Sequence, residues 1–142
     1  MSASPGAYAT SLPQQTWIKV GRGQLIWYVS GTFTSNTTYQ TVPPWYELPG
    51  SNGFGVGLIV VVTSVSGTSP SMGVSIYFTN IESFINGSPV WYEWLSISNI
   101  TNVSCTPTGS NTLNSPVAFQ IVIGVSGTSP SFTAYIELAI SG

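Results

Sequence analysis

Apolar and polar residues alternate with a period of two along most of this chain, and no window carries the period of an amphipathic helix. The alternation is clearest in the last third. Val117, Phe119, Ile121, Ile123 and Val125 interleave with Ala118, Gln120, Val122 and Gly124, and Phe132, Ala134, Ile136, Leu138 and Ile140 with Thr133, Tyr135, Glu137 and Ala139. Each segment therefore has one face for a core. Clusters of Gly, Pro and Asn separate segments rich in β-branched and aromatic residues. These predict strands over Thr16–Val20, Gln24–Phe33, Val56–Val65, Met72–Thr79, Val90–Ile97, a weaker Asn102–Thr106, Val117–Val125 and Phe132–Ile140. The stretch Gly57–Thr63 is apolar on both faces, which implies cover on both sides from sheet packing or a neighbouring subunit.

A repeat organises the pattern. VTSVSGTSPSMGVSIYF aligns without gaps on VIGVSGTSPSFTAYIEL at an offset of 60 residues, pairing Val65 with Val125 and Met72 with Phe132. In each copy Gly67 or Gly127 offers an unusual backbone angle, and Pro70 or Pro130 occupies a place where no ladder N–H is needed. The repeat predicts two related hairpins, 56–79 and 117–140, in equivalent positions of a pseudo-symmetric domain. About eight strands in 142 residues suit a single all-β two-sheet sandwich over residues 16–142. A jelly roll is the leading topology and an immunoglobulin-like arrangement the second. Residues 1–15, rich in Ser, Ala, Pro and Gly, are expected to form an extended arm.

Composition narrows the chemistry. Hydrophobic residues make up 42% of the chain but charged ones only 4%, with neither Asp nor His, so polarity rests on Ser, Thr, Asn, Gln and Gly. Such a surface barely responds to pH between acid and neutral, and it lacks the basic footprint of a direct DNA- or RNA-binding protein. It suits either cover by partners or sugar, or a harsh acidic milieu. Without His or Asp, the Ser-His-Asp and Cys-His arrangements have no members to draw on, and a transition-metal site has almost no ligands; no catalytic residue, cofactor or metal is expected. Glu82 and Glu93 read as solvent-facing side chains rather than a glycosidase pair, and GRGQ at Gly21–Gln24 as a turn rather than a phosphate loop. The single Cys105 excludes an intrachain disulfide and is expected to be buried. The N-terminal sequence has no signal-peptide pattern, and the longest apolar run, Phe54–Val62, is short of the roughly 20 residues of a membrane span.

Two kinds of contact residue remain. Trp45 and Tyr46 lie among Pro43, Pro44 and Pro49, where rings can stack on sugar, fill a partner's pocket, or cap the end of the core. Asn36, Asn86, Asn99 and Asn102 open Asn-X-Ser/Thr sequons and are candidate N-glycosylation sites.

The VxxVSGTSPS hairpin followed by an alternating strand, together with IKVGRGQLIWYVSG, resembles segments recurrent in small structural proteins of bacterial and archaeal viruses. The resemblance implies a capsid or capsid-surface β-sandwich in a virion, acting as a homo-oligomer with itself and other capsid proteins as partners. An archaeal virus of a hot, acidic host would suit the composition. Two other readings stand beside it: an extracellular filament or surface-layer subunit using strand exchange, and a carbohydrate- or receptor-binding module using Trp45 and Tyr46.

Overall fold

The computed structural model describes residues 13–20, 23–44, 54–80, 84–112 and 117–141. Seven strands follow in chain order: β1 (Thr16–Lys19), β2 (Gln24–Phe33), β3 (Thr37–Thr41), β4 (Phe54–Thr79), β5 (Tyr92–Ile100), β6 (Ser104–Thr112) and β7 (Ala118–Ser141). All pairings are antiparallel.

The two longest strands correct the hairpin expectation. The halves of β4 on either side of SGTSP do not pair with each other; both pair with β7, Val56 with Ile140 at one end and Phe78 with Phe119 at the other. Residues 56–79 and 117–140 are thus two bent strands lying antiparallel, and the two VSGTSPS segments meet at the centre of the ladder. Val65 pairs with Phe132 and Met72 with Val125, pairs that the 60-residue offset exchanges, so a local pseudo-two-fold runs between the copies. Here the ladder is interrupted, and Gly67, Ser69, Gly127 and Ser129 all take positive φ (108°, 49°, 121° and 49°). A Cβ on Gly67 would lie 2.6 Å from the Ser129 carbonyl oxygen, and one on Gly127 would lie 2.8 Å from that of Ser69. Each copy's glycine makes room for the other copy's Ser–Pro backbone. The motif repeats because it packs against itself.

At these kinks each strand passes from one sheet to the other, so that one strand contributes a segment to both. The first sheet runs β6, β4 (54–65), β7 (132–141), β2, β1. The second runs β5, β4 (71–79), β7 (118–125), β3. With β4 and β7 each contributing two segments and β1 set aside as an extra edge strand, this is the strand order of an eight-stranded jelly roll. It is also an internal duplication of a three-strand unit. β2, β3 and β4 hold the same places in the ladder as β5, β6 and β7.

One residue breaks the equivalence. A bulge between Val62 and Ser64 leaves Thr63 unpaired with β7, and β7 has no counterpart to it. A one-residue slip moves every following side chain to the opposite face. Val62 is buried and therefore corresponds to Ile123, not to the half-exposed Val122 on which the ungapped alignment places it.

The two sheets enclose one core. Val56, Leu58, Val60, Val62, Ala134, Ile136, Leu138 and Ile140 are buried from the first sheet, and Met72, Val74, Ile76, Phe119, Ile121 and Ile123 from the second. Trp27 of β2 crosses the gap to meet Tyr39 of β3 edge-on, with ring centroids 5.7 Å apart. Residues 13–15 are held against this seam: Trp27 Nε1 donates to Gln15 Oε1 (2.7 Å), Tyr39 OH donates to the Pro13 carbonyl (2.7 Å), and Trp17 Nε1 donates to Thr41 Oγ1. Residues 1–12 of the expected arm lie outside the described residues. β3 is a strand that hydrophobic alternation did not predict.

Candidate interaction surfaces

The sandwich is alike inside and unlike outside. Outward residues of the second sheet form polar rows across the strands: Thr38, Val122, Ser75 and Ser96 in one, and Gln40, Gln120, Tyr77 and Glu93 in the next. The first sheet turns out Ser30, Tyr135, Val61 and Cys105 in one row, and Thr16, Tyr28, Glu137, Ile59 and Pro107 beside it. A third row is Ile18, Ile26, Ala139, Gly57 and Gly109. This face is apolar, and Ile59 and Val61 on it are only half-buried, so the two-faced apolarity of Gly57–Thr63 leaves the outer side open among the described residues. Cys105, expected in the core, is exposed. It sits on edge strand β6 opposite Val61, and the alternation of that strand turns Ser104, Thr106, Thr108 and Ser110 inward instead.

Two features stand on the apolar face. The Tyr28 and Tyr135 rings lie 5.7 Å apart, tilted by 40°. Tyr135 OH donates a 2.7 Å hydrogen bond to Glu137 Oε1. Burial first, then that hydrogen bond and the carboxylate charge, push the Tyr135 phenol up to about 12. Beside them, the row of Gly57, Gly109 and Ala139 forms the floor of an open furrow of about 500 Å³, with Gln24 and Ser141 at its end. A Cβ placed on Gly57 would touch nothing within 4 Å, so the floor is low because side chains are missing there.

A second surface lies at one end of the second sheet. β3 ends at Thr41 opposite Phe119, β4 ends at Thr79 opposite Ala118, and β5 begins at Tyr92 opposite Phe78. Val42, Asn80, residues 84–91 and Tyr92 therefore gather at this end. A helical turn, with Phe84 N–H donating to the Asn80 carbonyl (3.2 Å), holds Phe84 and Ile85 outward. Val42, Phe84, Ile85, Val90 and Tyr92 are exposed, from 38% at Phe84 to 72% at Ile85. Beneath them Phe78 contacts Tyr92 and Trp94, and Trp94 stacks on Phe119 at 5.8 Å. The backing is aromatic.

Trp45, Tyr46 and Glu82 lie outside the described residues. Glu93 is exposed on the polar face. The four sequon asparagines are all exposed but serve different local roles. Asn36 Oδ1 accepts the Val125 N–H at 2.9 Å, and Asn86 adjoins Ile85 on the apolar end. Asn99 (φ 58°), near the end of β5, and Asn102, in the turn that follows, line a cleft of about 230 Å³. Among the described residues no three His, Cys, Asp or Glu side chains form a metal-binding group, and no helix is long and apolar enough to cross a membrane.

No family model matches the sequence, and no curated protein matches it. Solved structures with a similar fold include the VP2 subviral particle of infectious bursal disease virus (TM-score 0.46, 11% identity, 92% of this chain and 30% of that one). Others are a family 16 carbohydrate binding module (0.42, 11%, 83% and 85%) and a Bacillus endospore appendage that forms disulfide-linked pili (0.41, 12%, 90% and 89%). The chain spans under a third of the length of the viral protein.

Proposed function

We propose that this chain is a non-enzymatic structural subunit, a capsid or capsid-surface β-sandwich of a virion, that works by self-assembly. The observation that carries the reading is the apolar end of the second sheet. Five large hydrophobic side chains are exposed there on an aromatic backing, in a protein with almost no charge to keep copies apart. A contiguous exposed apolar patch marks a contact site in a soluble protein. Burying it against a neighbour releases about 25 cal/mol for each Å² of apolar surface removed from water. A closed symmetric shell or ring needs such a patch on every copy. With four Glu and two basic residues in the whole sequence, contacts formed this way depend little on salt.

The test is localisation. The protein should be found in purified particles at stoichiometric copy number, and Ile85→Ser with Val90→Ser should yield folded protein that no longer enters them. A protein that accumulates in infected cells but is absent from particles contradicts the reading.

A further inference from the structure

From the outer face of the first sheet we infer a binding site for a neutral oligosaccharide, running across the strands over the Gly57–Gly109–Ala139 floor and flanked by Tyr28 and Glu137. The inference is independent of the assembly reading, which uses a different surface.

The geometry sets the ligand's shape. Outward side chains two residues apart on one strand are separated by about 7 Å, so the row of Pro107, Ile59, Glu137 and Tyr28 stands one step away from the glycine row, beside the trough and outside its own lining. The trough is open along its length and holds about 500 Å³. That suits a chain lying across the sheet rather than a small molecule enclosed by it. Its floor belongs to β4, β6 and β7, where the backbone groups of the inner strands are committed to the ladder. Over β4 and β7 an extended peptide would find no free edge to pair with; the edge of this floor is β6.

The side chains set the chemistry. Tyr28 presents a ring tilted against Tyr135, and an aromatic face stacks on the C–H side of a sugar ring. Glu137 is held in place by Tyr135 OH through one carboxylate oxygen, Oε1. Its second oxygen is an acceptor suited to ligand hydroxyls. Gln24 and Ser141 at the end of the trough supply an amide and a hydroxyl. Glu137 is the only charged side chain on these rows. Among the described residues of these rows an anionic ligand would meet like charge and no cation, and an apolar partner would take from water a carboxylate held by a hydroxyl rather than by a cation, a costly arrangement. A neutral polyol satisfies the carboxylate, the amide and the rings together.

The experiment is affinity electrophoresis and calorimetry of the full chain against neutral polysaccharides (β-glucan, α-glucan, mannan and galactan), with polygalacturonate as the anionic control. At least one neutral polymer should bind and the control should not. Tyr28→Ala and Glu137→Gln should each weaken binding by about tenfold, equivalent to about 1.4 kcal/mol. Gly57→Val should abolish it by filling the trough; a valine there meets open space and suits a strand, so the melting temperature should be unchanged. Ile85→Ser should leave binding intact. Absence of binding to every neutral polymer, or binding that persists in folded Gly57→Val protein, overturns the inference.

Discussion

The two sheets of this jelly roll differ in what they show to solvent far more than in what they bury. Inside, both supply alternating Val, Ile, Leu and Phe to one core, and the kinks that join them are copies of one sequence. Outside, the second sheet presents Thr, Ser and Gln rows and concentrates its exposed apolar side chains at one end, while the first presents Tyr, Ile, Val and glycine across its width. A duplication constrains the buried face, because core volume must match from both halves. It leaves the outer faces free to diverge. The bulge at Thr63 is one device of that divergence: it sets the phase that turns Ile59 and Val61 outward while Phe119 and Ile121 stay in the core.

The internal likeness is the first thing to break. Gly67→Ala and Gly127→Ala should each cost about 3–5 kcal/mol, because a methyl group meets backbone and the positive φ penalises any side chain. Urea unfolding should give similar losses for the two; a harmless substitution at either site would show that the copies are not equivalent.

The bulge is tested by a neighbouring pair. Ile121→Ala should cost about 3 kcal/mol as a core truncation, whereas Val122→Ser should stay within about 0.5 kcal/mol. An ungapped equivalence of Val122 with the buried Val62 demands a large loss at Val122.

At the seam, Gln15→Ala should cost about 1–2 kcal/mol in the same assay by leaving the indole N–H of Trp27 without its acceptor. No change would mean that water replaces the glutamine and that residues 13–15 are dispensable to the fold.

The smallest expected effect is alkaline. Folding raises the Tyr135 phenol above its ordinary value of 10 to about 12, so the folded state favours the neutral form. The stability this contributes is fully present below pH 10 and is lost as the pH rises toward 12. Tyr135→Phe should flatten that part of the denaturation profile between pH 10 and 12; an unaltered profile would show that the Tyr135–Glu137 bond does not persist in solution.

Much of this fold was legible in the sequence, for a physical reason. A half-buried strand must alternate, and β1, β2, β5, the second half of β4 and both halves of β7 carry that signal, whereas the first half of β4 declares itself by a continuous apolar run. β3 does not, because TTYQT has Tyr39 as its only large apolar side chain and draws its burial from Trp27 across the gap. SGTSP predicts a hairpin tip, because Gly, Ser and Pro mark turns, and the same residues serve a crossing kink. Only long-range pairing separates the two. The surface sites were the least legible part. Tyr28, Glu137 and Gly57 are far apart in sequence and become neighbours through strand register, while the apolar end joins Val42 to Ile85 through the ends of three strands.

The proposed role stands on the apolar end, and sedimentation velocity over a range of protein concentrations tests it most directly. The wild-type chain should sediment as a discrete oligomer, with Ile85→Ser/Val90→Ser sedimenting as a folded monomer. A wild-type protein that remains monomeric at the highest concentration, or a double variant that assembles as well as the wild type, would contradict it.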